Sequence, residues 1–193
     1  TDVLWVGDNT NKGLGVFSFS GFKFKRLRKY NPALKLILPV KVYNDEMEFL
    51  LYAVWANNPN DKDGQYVTQV WKALHFYNRY IKKNATILTG DFNSNTIWDK
   101  PRRAGNHSTV VKKLERKNIH SVYHKFFLQK QGKEAHPTFY LYKNIDKPYH
   151  LDYCFASGDF AERLLSVAVG EHADWAKYSD HMPVIVRFKS REV

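Results

Sequence analysis

Thr86-Ile87-Leu88-Thr89-Gly90-Asp91-Phe92-Asn93 is a short apolar strand that runs straight into a glycine, a carboxylate and a carboxamide. Short polar loops at the ends of rigid strands are where a sheet scaffold presents functional groups. Upstream, Val67, Val70, Trp71, Leu74, Tyr77 and Ile81 recur at i, i+3/i+4 spacing, which predicts a helix over 66–83 closed by Asn84. Before that helix, Phe49-Leu50-Leu51-Tyr52-Ala53-Val54-Trp55 is an unbroken apolar run, the pattern of a strand covered on both faces, and Ala56-Asn57-Asn58-Pro59 breaks it into a loop. Farther out, strands are predicted over 15–20 and 36–43, the second turning at Asn44-Asp45. Downstream, Ser108 is a good N-cap for a helix through Val111 and Leu114 to about 117, and further strands fall near 138–142, 151–157 and 184–188. Strands outnumber helices and the two mix along the chain, so residues 1–193 are expected to form a single α/β or α+β domain.

Composition narrows the class. The chain has 193 residues, 44% hydrophobic and 25% charged, and no apolar run reaches transmembrane length, so no membrane segment is expected. One cysteine, Cys154, excludes an internal disulfide framework and a Cys-rich zinc site. Thirty Lys+Arg against 19 Asp+Glu give a net charge of +11, and aromatics reach 16%. Such a surface suits polyanions, because cations meet phosphates and aromatic rings stack on bases.

Three polar clusters each follow an apolar strand: Gly90-Asp91-Phe92-Asn93, His150-Leu151-Asp152-Tyr153 and Ser179-Asp180-His181-Met182-Pro183. Asp91 and Asn93 stand at i and i+2, so in extended backbone their side chains share a face. A carboxylate with a carboxamide oxygen is a hard donor pair, suited to Mg²⁺ or Mn²⁺ rather than Zn²⁺ or Cu²⁺. Taken alone the pair reads more readily as an Asx turn. His181 can exchange a proton near neutral pH if a third group fixes its tautomer, and Asp152 is the candidate for that group. Seven other histidines dilute the signal, and each taken singly reads as structural.

In this order, the three motifs resemble the endonuclease/exonuclease/phosphatase superfamily of exonuclease III-like and DNase I-like enzymes, and Lys12-Gly13-Leu14-Gly15-Val16-Phe17-Ser18 looks like its early core strand. The resemblance spans essentially the whole chain and implies a four-layer α/β/β/α sandwich with the site at one edge. By the same resemblance, Asp91 would orient the attacking water and help hold a divalent cation (Mg²⁺ or Mn²⁺), Asn93 would position water and phosphate, and Asp180 would help hold the metal. His181 would contact the scissile phosphate, with Asp152 orienting it. Trp55 and either Asn57 or Asn58 align with positions that face the phosphate. The family also places a metal-binding Glu, with an Asn before it, on two core strands upstream of Gly13-Leu14-Gly15. No counterpart is found, and Glu46 and Glu48 are poor substitutes, so an N-terminally truncated domain is expected, or one that has lost a main ligand.

Trp98-Asp99-Lys100-Pro101-Arg102-Arg103 follows the first motif directly and offers a ring to stack and two guanidinium groups, Arg102 and Arg103, for phosphates. The expected function is metal-dependent hydrolysis of DNA or RNA, which by the resemblance would leave a 5′-phosphate, with nucleic acid as the partner and no obligate protein partner evident. The alternatives are a phosphomonoesterase or phospholipase acting on an inositol phosphate or sphingolipid, and a non-catalytic nucleic-acid-binding fragment. Lys23-Phe24-Lys25-Arg26-Leu27-Arg28-Lys29 reads equally as a lysine-protected edge strand and as a phosphate contact.

Overall fold

A computed structural model describes residues 2–9, 11–34, 36–57 and 66–190. In chain order the strands and helices are β1 (Asp2–Asn9), β2 (Lys12–Ser18), β3 (Lys23–Arg26), β4 (Ile37–Tyr43), β5 (Glu48–Trp55), α1 (Val67–Phe76), α2 (Asn78–Lys83), β6 (Thr86–Asp91), α3 (His107–Glu115), β7 (Ile119–Ser121), α4 (Val122–Phe127), β8 (Phe139–Tyr140), β9 (Pro148–Tyr149), β10 (Asp152–Ser157), α5 (Gly158–Glu162), β11 (Leu164–Val169), α6 (His172–Trp175) and β12 (Val184–Phe188).

Six strands form the main sheet in the order β3-β4-β5-β6-β10-β7, antiparallel except for the parallel β5–β6 pair. Alternation along β5 explains its unbroken apolar run. Leu50, Tyr52 and Val54 face a core built with Val70, Leu74 and Leu114 from α1 and α3, whereas Phe49, Leu51 and Ala53 face the other way. That second face is covered at one side by the β1–β2 ribbon and at the other by the β11–β12 ribbon, with Tyr123 of α4 and Phe160 of α5 packing on the same side. Between the ribbons lies an open trough of 390 Å³, floored by Phe49, Leu51, Ile87 and Cys154 and walled by Phe17 and Val186. The architecture is therefore a mixed α/β sandwich, as the resemblance implies.

Several elements differ from the pattern-based expectation. The helix expected over 66–83 is broken at Tyr77 (φ −90°, ψ 8°) into α1 and α2. The strand expected over 138–142 stops at Tyr140, and a helical turn with left-handed Tyr142 and Lys143 follows. The N-cap of α3 is Asn106 rather than Ser108. The first turn is held instead by Asp99, whose two carboxylate oxygens accept the His107 and Ser108 amides at 2.8 and 3.1 Å. Lys23 and Lys25 lie exposed on β3, the sheet edge, while Phe24 turns inward, so the edge-strand reading holds for that stretch. Cys154 is buried on β10, and burial pushes its thiol up to about 12, an inert small hydrophobe.

Candidate active site

The β-sheet register brings the site together. Trp55 at the end of β5 stands beside Asp91 at the end of β6, and Asp91 is cross-strand partner to Asp152 at the start of β10. Gly90 makes the approach feasible: it sits at φ +132°, and a Cβ there would lie 2.0 Å from the Val54 carbonyl oxygen. The third motif arrives through Thr138, a residue pattern reading passed over. The fully buried Thr138 accepts the Leu151 and Asp152 amides on its hydroxyl at 2.9 and 3.0 Å, and its carbonyl accepts the Met182 amide at 2.8 Å. One side chain and its own carbonyl thus fix the Asp152 strand and the His181 loop to each other.

Asp91 and Asn93 meet, though not by the extended i, i+2 geometry. Asn93 is left-handed (φ 44°), and its amide and side-chain NH₂ donate to the two Asp91 carboxylate oxygens at 2.7 and 2.6 Å. The Asx turn and the clustering of functional groups are the same structure. His181 Nδ1 lies 2.9 Å from Asp152 Oδ2, which leaves Nε2 as the nitrogen free to meet a substrate. Ligand atoms of Asp91, Asp152 and His181 all fall within 4.8 Å of one another.

Electrostatics follow from this crowding. Burial, then the neighbouring Asp152 charge, pushes the Asp91 carboxyl up to about 7, against the lowering effect of the Asn93 amide. For His181, burial alone would lower the pKa, but the hydrogen bond and charge of Asp152, with Asp91 and Asp180, outweigh it and the net direction is up. Two partly buried carboxylates and an imidazole converging on one point, one acid forced toward neutrality, are a donor set that a hard divalent cation fits. The Asp91 and Asp152 carboxylates are the groups placed to hold one, with the His181 imidazole beside them. Asp180 acts on both Asp91 and His181 through its charge, while its carbonyl accepts the Tyr140 amide at 2.8 Å; its carboxylate is outside the converging group. Glu46 and Glu48 are at the other end of β5, with Glu48 paired to Lys41, and neither reaches the site.

The rim is aromatic and basic. Trp98 packs on Tyr149 (5.1 Å between ring centres), Tyr149 neighbours Phe139 (6.4 Å), and Phe139 lies on His181 (4.8 Å). These rings form a continuous wall from the surface to the imidazole. Arg102 is exposed in a left-handed turn, while Arg103 is tied to α1 by a 2.9 Å hydrogen bond to Thr68 Oγ1. Arg103 and Lys100 line a 240 Å³ pocket that reaches Asn93. The Lys12 ammonium caps the Trp55 ring at 5.5 Å, and the Asn57 amide donates to the Trp55 carbonyl at 2.8 Å. Asn58 lies outside the described residues.

Against solved structures, the chain is similar to the endonuclease domain of TRAS1, a telomere-specific non-LTR retrotransposon (TM-score 0.63, 18% identity, covering 98% of this chain and 80% of that one). It is also similar to a 3′-5′ exonuclease, NExo, from Neisseria meningitidis (0.70, 17%, 97% and 79%) and to an AP endonuclease from Archaeoglobus fulgidus (0.69, 17%, 97% and 79%). These structures share this fold, as does an endonuclease/exonuclease/phosphatase family protein from Leptotrichia buccalis (0.52, 18%, 80% and 53%). No protein-family model and no curated protein matches the sequence.

A buried polar ring stands behind these three polar clusters, and no local pattern announces it. Ser94 Oγ meets His107 Nδ1 at 2.8 Å, and His107 Nε2 meets Gln131 Oε1 at 3.2 Å. Gln131 Nε2 donates to His124 Nδ1 at 3.2 Å, His124 Nε2 to Glu134 Oε1 at 2.9 Å, and Asn95 Nδ2 to Glu134 Oε2 at 3.1 Å. The ring closes through Ser94–Asn95, immediately after the Gly-Asp-Phe-Asn motif, and locks that loop to residues 131–134. Glu134 is driven down to about 2: burial opposes ionisation, but hydrogen bonds from His124, the Gly132 amide and Asn95 prevail. Burial drives His107 down to about 4, so it is neutral at physiological pH.

Proposed function

We propose that this chain is a divalent-metal-dependent phosphodiesterase acting on nucleic acid. The observation that carries the reading is the Asp91–Asp152–His181 convergence, in which one carboxylate orients the imidazole and the other is buried beside it.

Asp91, with a carboxyl near pH 7, is matched to accepting a proton from an attacking water, and Asn93 holds it in orientation. His181, its pKa raised by Asp152, carries more imidazolium at neutral pH and donates from Nε2 to a phosphoryl oxygen, countering the charge that builds there. The water oxygen bonds to phosphorus and the P–O bond to the 3′ oxygen breaks, the departing oxygen taking a proton from solvent water, giving a 5′-phosphate and a 3′-hydroxyl. A Mg²⁺ or Mn²⁺ ion held by the Asp91 and Asp152 carboxylates would neutralise phosphoryl charge. Asp180 adds negative potential that favours a cation there. Trp55 and Asn57, at the end of the β5 strand beside Asp91, flank the phosphate, with Asn58 following in sequence. Trp98, Tyr149 and Phe139 stack sugar or base along the wall, and Arg102 and Arg103 meet flanking phosphates.

The test is a substrate panel: duplex DNA, single-stranded DNA, RNA, an inositol polyphosphate and sphingomyelin, each with Mn²⁺ and with EDTA. The reading expects Mn²⁺-dependent cleavage of a nucleic acid with 5′-phosphate ends. Release of phosphate from the inositol compound, with nucleic acids intact, would overturn it.

A further inference from the structure

At the far end of the helical layer from Asp91, Lys29, Arg79 and Lys83 line a 260 Å³ pocket together with Phe76, Tyr80 and Asn84. Asn84 precedes β6 and Asp91 ends it, so the strand alone separates pocket and site by about 20 Å. No acidic side chain lines the pocket, and the Lys29 ammonium sits 5.2 Å from the Phe76 ring, which is 39% exposed.

The surface between pocket and site is also basic and aromatic. Residues 66–90 contain Lys72, Arg79, Lys82 and Lys83 and no Asp or Glu, and 100–117 contain seven Lys or Arg between Asp99 and Asn118 with Glu115 the sole acid among them. Lys113 Nζ lies 4.7 Å from the Trp71 ring and donates to His75 Nε2 at 2.9 Å. Lys117, Lys82 and Lys113 crowd one another, and after burial this repulsion lowers Lys117. Like charges gathered this closely lower stability, and a bound polyanion relieves them. Along α1 the order is Thr68, tied to Arg103 at the site rim, then Trp71, His75, and Phe76 at the pocket. Cations alternating with the partly buried Trp71 ring and the exposed His75 and Phe76 rings match a nucleic-acid backbone with stacked bases.

We propose that the pocket and the α1–α3 face leading to it are a second nucleic-acid seat, holding the backbone of the substrate well away from the cleaved phosphate. This rests on the reading of the chain as a nucleic-acid hydrolase. The span corresponds to about six or seven base pairs at 3.4 Å per step, so substrates shorter than that occupy only the site.

The experiment measures binding by fluorescence anisotropy in EDTA, and cleavage with Mn²⁺, for a duplex of about 24 base pairs and a hairpin of about five. Lys29→Ala/Arg79→Ala/Lys83→Ala is compared with wild type and with Lys125→Ala/Lys130→Ala/Lys133→Ala, which removes equal charge elsewhere. The first triple variant should bind the long duplex at least about tenfold more weakly and flatten its salt slope by about 2 to 3, with the hairpin changed less than twofold. The second triple variant should match wild type. Unchanged long-duplex affinity, equal loss on both substrates, or equal loss in both variants overturns the seat. Tight binding that needs the first triad, with no substrate cut, overturns the hydrolase reading while the seat stands; a wild type that binds neither substrate overturns both.

Discussion

His181 Nδ1 is held 2.9 Å from Asp152 Oδ2, and the same Asp152 is the cross-strand partner of Asp91. A single carboxylate therefore sets the tautomer of the imidazole and raises the pKa of the neighbouring acid.

Asp152→Asn keeps the size and the strand pairing but removes the charge. It should lower the pKa of His181, since Asp152 contributes the largest of the effects that offset burial and raise it, and should also let Asp91 ionise at lower pH. The cleavage rate should fall by about 10² to 10⁴, in the range for a lost acid–base partner. NMR titration of the His181 ring checks the first effect; an unmoved His181 pKa contradicts it.

Cation affinity should depend on pH through Asp91. Below about 7 a proton competes for its carboxyl, so Mg²⁺ or Mn²⁺ affinity should rise about tenfold per pH unit up to that point and level off above it. Calorimetric titration of the cation from pH 5.5 to 8.5, in buffers of differing ionisation enthalpy, checks both the slope and the proton released. A pH-independent affinity would contradict the assignment.

Thr138→Val is nearly isosteric and leaves the buried Leu151 and Asp152 amides without their acceptor. It should cost about 1 to 3 kcal/mol by denaturant unfolding and reduce turnover more than substrate affinity, because the strand carrying Asp152 loses its register to His181. Equal stability and turnover would remove Thr138 from the account.

Acid stability should report the polar ring. His107 titrates near 4 in the folded chain and at its ordinary value near 6.5 when unfolded, so below 6.5 the unfolded state binds the proton first and stability falls with pH, by about 3 kcal/mol at most. Glu134, depressed to about 2, adds a second loss below its ordinary range, in the same direction. In His107→Gln the fall between pH 6.5 and 4.5 should shrink while the lower limb remains; an unchanged curve would contradict a neutral buried His107.

Trp98→Ala, at a ring stacked on Tyr149 yet 45% exposed, should weaken substrate binding by about 1 to 3 kcal/mol with little effect on the rate at saturation. A change in saturating rate alone would move Trp98 off the substrate path.

The motifs were legible because each is a contiguous polar cluster behind an apolar strand, and strand ends converge when the strands share a sheet. Asp91, Asp152 and His181 lie together at those strand ends. The α1 stripe was legible from periodicity and the β5 strand from its unbroken apolar run. The β1 and β11 strands were not, since each is half of a two-stranded ribbon whose pattern is weak until its partner is known. Glu134 carried no local signal: its meaning comes from Asn95, 39 residues away, and from His124. Asp99 carried no signal of its own within 98–103; its hold on the first turn of α3 is set by a loop that folds back eight residues later.

The most direct test of the central claim is nicking of supercoiled plasmid by wild type and by His181→Ala, with Mn²⁺ and with EDTA. The account predicts Mn²⁺-dependent nicking by the wild type that EDTA abolishes, and a loss of at least about 10²-fold in His181→Ala with DNA affinity and circular dichroism retained. Nicking that persists undiminished in His181→Ala, or that survives EDTA, would contradict it.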